Sequence, residues 1–334
     1  MNICFVTTTP ASAVGGVENV AFNIMEQAKK KGHKVENVYA YKNYTNPLSS
    51  LNAFKAVGKK VTAGNFDIVH SNDNASYYFA KHNNISKHVP IIHTSHGTWG
   101  NYFSAFSASF PFNIKKKIFS KNSIKIEKFV VQHADVNTSV SNYVQKSVLE
   151  QYRIKSEVIH NGVDTAKFSP AKTKNKIPTG IWVGTNPGLK GLNIAIESIK
   201  MLGLRLMVVG ISGKDSKEVE YLGKIEPSQM PEIYRKADFL IFPSKYESHP
   251  IVPLEAMSSG LPVIVSSASN VEIIKNGKEG FVVSGKAEDY AKSIEKMLTR
   301  RRQMSASARK CAILHSWQIQ SKKYFKLYEK LAFL

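Results

Sequence analysis

Short apolar runs and amphipathic stretches alternate along the whole chain. Residues 2–7 form an apolar run that reads as a buried strand. Val17, Val20, Ala21, Ile24 and Ala28 then recur at helical spacing, and the basic run 29–31 with Gly32 closes that helix. Further strands are predicted at 35–41, 66–70, 89–94, 134–140 and 157–160, with a helical pattern between 140 and 154. The second half repeats the scheme. Strands are expected at 180–184, 204–209, 238–242, 262–265 and 280–283, and helices near 191–202, 228–236, 253–259 and 287–300. Such β/α alternation predicts an α/β fold of parallel sheets covered by helices.

The polar stretch 168–178, with its Lys and Pro residues, is the best boundary. It separates two doubly wound, Rossmann-like domains, 1–168 and 169–315, followed by a last segment, 316–334. Sheets of this kind bind ligands beyond the C-terminal ends of their strands, so a cleft between the two domains is the expected site.

Composition narrows the picture modestly. The 334 residues are 43% hydrophobic, enough for two packed cores. Cys4 and Cys311 permit neither a disulfide framework nor a zinc spacing, which fits a reducing cytoplasm. The first residues lack the basic and long apolar regions of a signal peptide, and no run of about 18 apolar residues exists to span a membrane. The net charge of +21 is spread over both halves and favours phosphates, anionic lipid or nucleic acid as partners. No nucleic-acid-binding signature accompanies it.

The most informative spacing is Glu247-x7-Glu255. The apolar run 238–242 precedes it, Pro253 suits a first helical position and Gly260 suits a helix end. Glu247 is therefore placed in a strand-to-helix loop and Glu255 in the first turn or so of the helix. Free N–H groups and the positive dipole end between them can hold an anion. Two carboxylates flanking an anion site suit a ligand with hydroxyls at both ends and phosphate in the middle, as in a nucleotide sugar. The plain alternative is an acidic cap plus a surface acid.

Three further constellations carry candidate chemistry. In Val183-Gly184-Thr185-Asn186-Pro187-Gly188-Leu189-Lys190-Gly191 a strand end, a Gly/Pro turn and a lysine at a helix start make a phosphate site. It lacks the Walker A spacing. Gly15-Gly16, between the first strand and first helix, allows close backbone approach to phosphate or sugar, without the dinucleotide fingerprint. His96, in His93-Thr94-Ser95-His96-Gly97, follows a predicted strand and can donate to a sugar hydroxyl or shuttle a proton. Each of these, taken alone, is also compatible with an ordinary turn or a structural histidine. His93 and His96 have no companion ligands at metal spacing, and no Asp-x-Asp pair occurs, so no metal is expected.

Between 101 and 128, Phe103, Phe106, Phe110 and Phe112 interleave with Lys115, Lys116, Lys117 and Lys121. An apolar, Phe-rich piece beside a basic helical one is the pattern of a segment lying on anionic lipid. The alternative is an amphipathic helix packed on its own domain with its lysines in water.

Together these residues resemble the retaining glycosyltransferases of family four, which have the GT-B fold, over nearly the whole chain. Gly15-Gly16-Val17-Glu18, His96-Gly97, Val158-Ile159-His160-Asn161-Gly162-Val163-Asp164 with Phe168, Gly184 with Lys190-Gly191, and Ala237-Asp238 through Pro243-Ser244 match in order. The most specific part is the Glu-x7-Glu string with Glu255-Ala256-Met257-x-x-Gly260-x-Pro262-Val263-Ile264. Ser316-Trp317 is similar to the family's C-terminal element that crosses back to the first domain.

The resemblance implies metal-independent, retaining transfer from a nucleotide diphosphate sugar to a glycan or lipid-linked acceptor. The first domain would bind the acceptor and the second the donor. Glu255 would hold the ribose, Glu247 the donor sugar, and Lys190 the leaving diphosphate with the backbone at Ile251 and Val252. His96 would hydrogen-bond the donor sugar, and Gly15-Gly16 would approach the phosphates. The implied setting is cytoplasmic, at the inner face of the cell membrane. Two departures stand out: Thr185 occupies the place of a family arginine, and Pro250 that of a frequent glycine. Thr185 leaves open a non-catalytic membrane- or polyanion-binding protein on the same fold, and a sugar-nucleotide epimerase is the other alternative.

Overall fold

The computed structural model describes residues 1–11, 15–40, 47–72, 74–83, 88–107, 114–171 and 175–332. The chain divides into two compact units, 1–160 with 317–334, and 161–316. Each is a parallel sheet flanked by helices.

In the first unit the elements run β1 (Asn2–Thr7), α1 (Gly16–Lys30), β2 (Lys34–Tyr39), α2 (Pro47–Ala63), β3 (Ile68–Ser71), α3 (Tyr77–His82), β4 (Ile91–Ser95), α4 (Trp99–Ser107), α5 (Ile114–His133), β5 (Val136–Ser139), α6 (Asn142–Tyr152) and β6 (Glu157–Val158). The sheet order is β2-β1-β3-β4-β5-β6, and every adjacent pair is parallel. Val6 sits opposite Val38 on one side and Ser71 on the other. The strand order reverses beside β1, so the loops after β1, β3 and β4 share the ligand-binding edge. The long helix α2 was not expected from the apolar pattern, because its Lys and Ser positions dilute the periodicity.

The second unit contains β7 (Thr179–Val183), α7 (Leu192–Met201), β8 (Arg205–Val209), β9 (Val219–Gly223), α8 (Met230–Arg235), β10 (Phe239–Phe242), α9 (Ile251–Ser258), β11 (Val263–Ser266), β12 (Gly280–Val283), α10 (Ala287–Thr299) and α11 (Arg301–Leu314). Its order is β12-β11-β10-β7-β8-β9, again all parallel. Successive strand residues feed opposite cores. Met207, Val209, Leu240, Phe242, Val263 and Val265 pack on one face, with Tyr234, Leu254 and Met257. Leu206, Val208, Phe239, Ile241 and Ile264 pack on the other, with Trp182 and Ile294. Burial on both faces explains why these strands read as continuous apolar runs. The switch point lies between β7 and β10, which puts the loops carrying Lys190 and Glu247 side by side at the C-terminal edge.

The observed division falls at residue 160, ahead of the polar stretch at 168–178. Residues 161–168 belong with the second unit. The Val163 N–H donates to the His315 carbonyl at 3.0 Å, Asn161 Nδ2 donates to the His249 carbonyl at 2.8 Å, and Phe168 is buried against Tyr234.

The last helix, α12 (Trp317–Ala332), groups with the first unit and packs on α1 and β3. Its docking is partly polar. His70 Nδ1 lies 2.6 Å from the Tyr328 hydroxyl, and His70 Nε2 lies 2.8 Å from Thr94 Oγ1, itself 2.8 Å from Thr138 Oγ1. Burial lowers the His70 pKa to about 3, so the ring is neutral and can donate at one nitrogen and accept at the other.

Candidate active site

Two loops and one helix end carry the candidate residues of the second unit. After β7 the chain makes a tight turn, in which Asn186 Oδ1 accepts from the Leu189 N–H at 3.0 Å and the Asn186 carbonyl from the Lys190 N–H at 2.9 Å. Trp182 Nε1 donates to the Lys190 carbonyl at 2.9 Å. Gly191 then caps α7 with φ +65°, and a Cβ there would press into the Pro243 carbonyl oxygen. Only glycine satisfies both demands. The turn is further tied to the loop after β10 by the Lys245 N–H, which donates to the Leu189 carbonyl at 2.9 Å.

Glu247 lies in that second loop, as the sequence predicts. Its carboxylate pairs with Lys190 Nζ and accepts from Ser244 Oγ at 2.7 Å, while Asn270 Nδ2 holds its backbone carbonyl at 3.1 Å. The lysine side chain is 24% exposed and that of Glu247 12%, so the pair is partly screened from water yet reachable. The ammonium also stands 5.9 Å from the centre of the Phe242 ring. The two residues given separate roles by the resemblance are thus engaged with each other.

Helix α9 starts earlier than expected. Pro250 is its N-cap and Ile251 its first residue, so Pro253 is third rather than first. The third N–H of a helix has no intrahelical acceptor, which is why proline is tolerated there. Neither Pro250 nor Pro253 carries an N–H, so Ile251 and Val252 supply the donors of this helix end. Glu255 falls one turn further in. Its Oε2 accepts from the Tyr234 hydroxyl at 2.9 Å. Burial pushes the Glu255 pKa up to about 7, opposed by the Tyr234 hydrogen bond and the charge of Lys167. Thr185 is exposed and brings no cation, and the Asn186 side chain is used within its own turn.

In the first unit Gly15 is the N-cap of α1. A Cβ at Gly15 would strike the Glu18 carboxylate, which folds back to take the Thr9 hydroxyl. Gly16 has open space around its Cα. His96 follows β4, with Nε2 3.3 Å from Asn72 Oδ1. With that amide oxygen as acceptor, Nε2 carries the proton and Nδ1 keeps its lone pair. Burial first, and His93 second, lower the His96 pKa, so the ring is neutral at pH 7. In this tautomer Nδ1 can only accept a hydrogen bond, where the sequence suggested a donor. Glu127 fixes the start of α4, accepting from the Trp99 N–H at 2.9 Å and from the Tyr152 hydroxyl.

The basic, Phe-rich segment is only partly described. Phe110 and Phe112 lie outside the described residues, and the side chains of Phe106, Lys115, Lys116 and Lys117 are likewise outside them. Phe103 is half-buried and Lys121 exposed. In the C-terminal part of α5, Ile124, Ile126 and Phe129 join the unit's own cores while Lys121, Lys125 and Lys128 face water. That part of the segment is an amphipathic helix packed on its domain. Among the described residues, no helix is long and apolar enough to cross a membrane, and no three His, Cys, Asp or Glu gather as a metal site.

Residues 14–167 match Glycosyltransferase Family 4, and residues 166–312 match Glycosyl transferases group 1. The chain belongs to these glycosyltransferases. An uncharacterized glycosyltransferase of Methanocaldococcus jannaschii is 23% identical, over 98% of this chain and 95% of that one. Sucrose-phosphate synthase of Thermosynechococcus elongatus superposes with a TM-score of 0.82 at 17% identity, covering 99% of this chain and 98% of that one. Anabaena HepE in complex with UDP-glucose gives 0.75 at 16% identity, covering 99% and 100%. The fold is of GT-B type.

For this glycosyltransferase, sequence reasoning singled out Glu247, Glu255, Lys190 and the two amides as candidates and did not single out Tyr234. Its hydroxyl meets a carboxylate 21 positions away, and no local spacing marks that. Its burial beside Phe168 shows only in the structure, where a buried phenol needs a partner.

Proposed function

We propose that the protein transfers a sugar from a nucleotide diphosphate sugar to a hydroxyl of a glycan or lipid-linked acceptor, with retention and without a metal ion. The observation that carries this reading is the grouping, at the C-terminal edge beside β7 and β10, of Lys190, Glu247, the Ile251 and Val252 amides and Glu255. The UDP-glucose held by the Anabaena neighbour supports the donor class.

On this reading the bond from the anomeric carbon to the diphosphate oxygen breaks and a bond to the acceptor oxygen forms on the same face. The acceptor proton passes to the departing phosphate. Negative charge grows on that phosphate, and Lys190 with the two amides stabilises it. Glu247 releases Lys190 to the phosphate and takes hydroxyls of the donor sugar in its place. For the first unit, the corresponding proposal is that neutral His96 accepts from a sugar hydroxyl through Nδ1.

Thermal shift against UDP-, GDP- and ADP-sugars tests the reading. One base class should raise Tm, the added stability being about 2.7 kcal/mol at a hundredfold excess over Kd. A flat response to all three would refute it.

We further propose that the segment around Phe103–Lys121 rests on anionic lipid, which would bring the enzyme to a lipid-linked acceptor. Phe103, Phe106, Phe110 and Phe112 would enter the interface, and Lys115, Lys116, Lys117 and Lys121 would meet headgroups. The protein should co-sediment with vesicles containing phosphatidylserine at low salt and leave them at high salt. Absence of binding at low salt rejects this part alone.

A further inference from the structure

Tyr234 sits at the end of α8 with its ring fully buried, edge-on to Phe168 at 5.8 Å between centroids. The hydroxyl of this buried ring donates to Glu255 Oε2 at 2.9 Å. Among the described residues, no protein group donates to the other carboxylate oxygen, and Glu255 keeps partial exposure.

We propose that Tyr234 is a positioning residue for donor binding: its hydroxyl takes one oxygen of Glu255, fixes the carboxylate's rotamer and leaves the other oxygen free for the ribose hydroxyls of the nucleotide. This rests on the donor-site reading above. Glu255 belongs to an eight-residue helix, and a glutamate has three rotatable bonds to fix. An unanchored side chain would lose that freedom only on binding, at a cost in affinity. The same hydrogen bond also favours the ionised carboxylate, the form that accepts most strongly. The charged and titratable groups acting on Glu255 are Tyr234 from α8 and Lys167 from the segment before Phe168. Tyr234 itself stays protonated, because burial and the neighbouring carboxylate both raise its pKa.

The experiment is calorimetric titration of the full chain, between pH 5.5 and 8.5, with the UDP-, GDP- or ADP-sugar giving the largest thermal shift. Diphosphate esters do not titrate in this range, so a pH limb reports on the protein. Wild-type affinity should fall as pH drops through about 7, where Glu255 takes up its proton. Tyr234→Phe keeps the ring and removes only the hydroxyl. It should weaken binding about tenfold at pH 7, the loss of one hydrogen bond. It should also move the limb to higher pH, because a stabiliser of the charged form is gone. Glu255→Gln should have no limb at all. Wild-type-like affinity and limb in Tyr234→Phe would overturn the role, and so would a lowered Tm with both unchanged. A wild-type protein that binds no nucleotide sugar would instead refute the donor-site reading, and the role of Tyr234 with it.

Discussion

Glu255→Ala should bind donor at least a hundredfold more weakly than the parent protein in calorimetric titration. The carboxylate oxygen left free by Tyr234 is the acceptor proposed for the ribose, and hydrogen bonds to a charged group contribute about 1.5–3 kcal/mol each. Two such bonds account for a hundredfold loss. Alanine also strands the Tyr234 hydroxyl inside the core, so some stability goes with it. Glu255→Gln separates the two effects. Its amide oxygen still accepts from Tyr234, so Tm should stay within a few degrees while affinity falls about tenfold or more. Donor affinity equal to the parent's in both variants would remove Glu255 from the site.

Lys190→Met should lower kcat about a hundred- to a thousandfold, the range for removing one preorganised stabiliser of developing charge. Methionine keeps the unbranched stem, which matters because the lysine runs past the Phe242 ring. The ion pair with Glu247 is lost, but Ser244 still donates to that carboxylate at 2.7 Å. The pair is largely screened from water, so removing the lysine leaves Glu247 a poorly solvated carboxylate, and some loss of Tm should accompany the loss of turnover. Donor affinity should fall less than kcat, since the charge that Lys190 meets is greater in the transition state than in the ground state. Single-turnover assays with circular dichroism decide this. Unchanged turnover would place Lys190 outside the reaction.

The effect of Thr185 follows from the same balance. Thr185 brings only an exposed hydroxyl, and Lys190 is the one basic residue in the stretch 183–191. That concentration of charge in one residue is why the expected loss is large.

Much of the fold could be read from the chain because buried parallel strands announce themselves. The run 238–242 is apolar on both faces, and the structure shows why: Phe239 and Ile241 enter one core, Leu240 and Phe242 the other. β9 escaped notice, since Val219–Gly223 is an edge strand with exposed Glu220 and only partial burial. The boundary was displaced for a different reason. Composition marks where the chain is polar, whereas residues 161–168 are held by long-range bonds to His249 and His315 that composition does not show. In the candidate site, spacing singled out residues but not their pairing. Lys190 and Glu247 are 57 positions apart, and only the β7–β10 adjacency brings their loops together. The proline rule gave the wrong helix start because Pro253 and Pro250 are both compatible with a helix entrance.

The return of α12 to the first unit has a consequence for how the protein is made. On the ribosome, residues 1–160 emerge first, yet they lack the helix that satisfies His70 and covers α1 and β3. The second unit is contiguous and can close as soon as residue 316 clears the exit tunnel. The part synthesised first is therefore completed last. A nascent chain stalled before Trp317 should carry a finished second unit beside an unfinished first one.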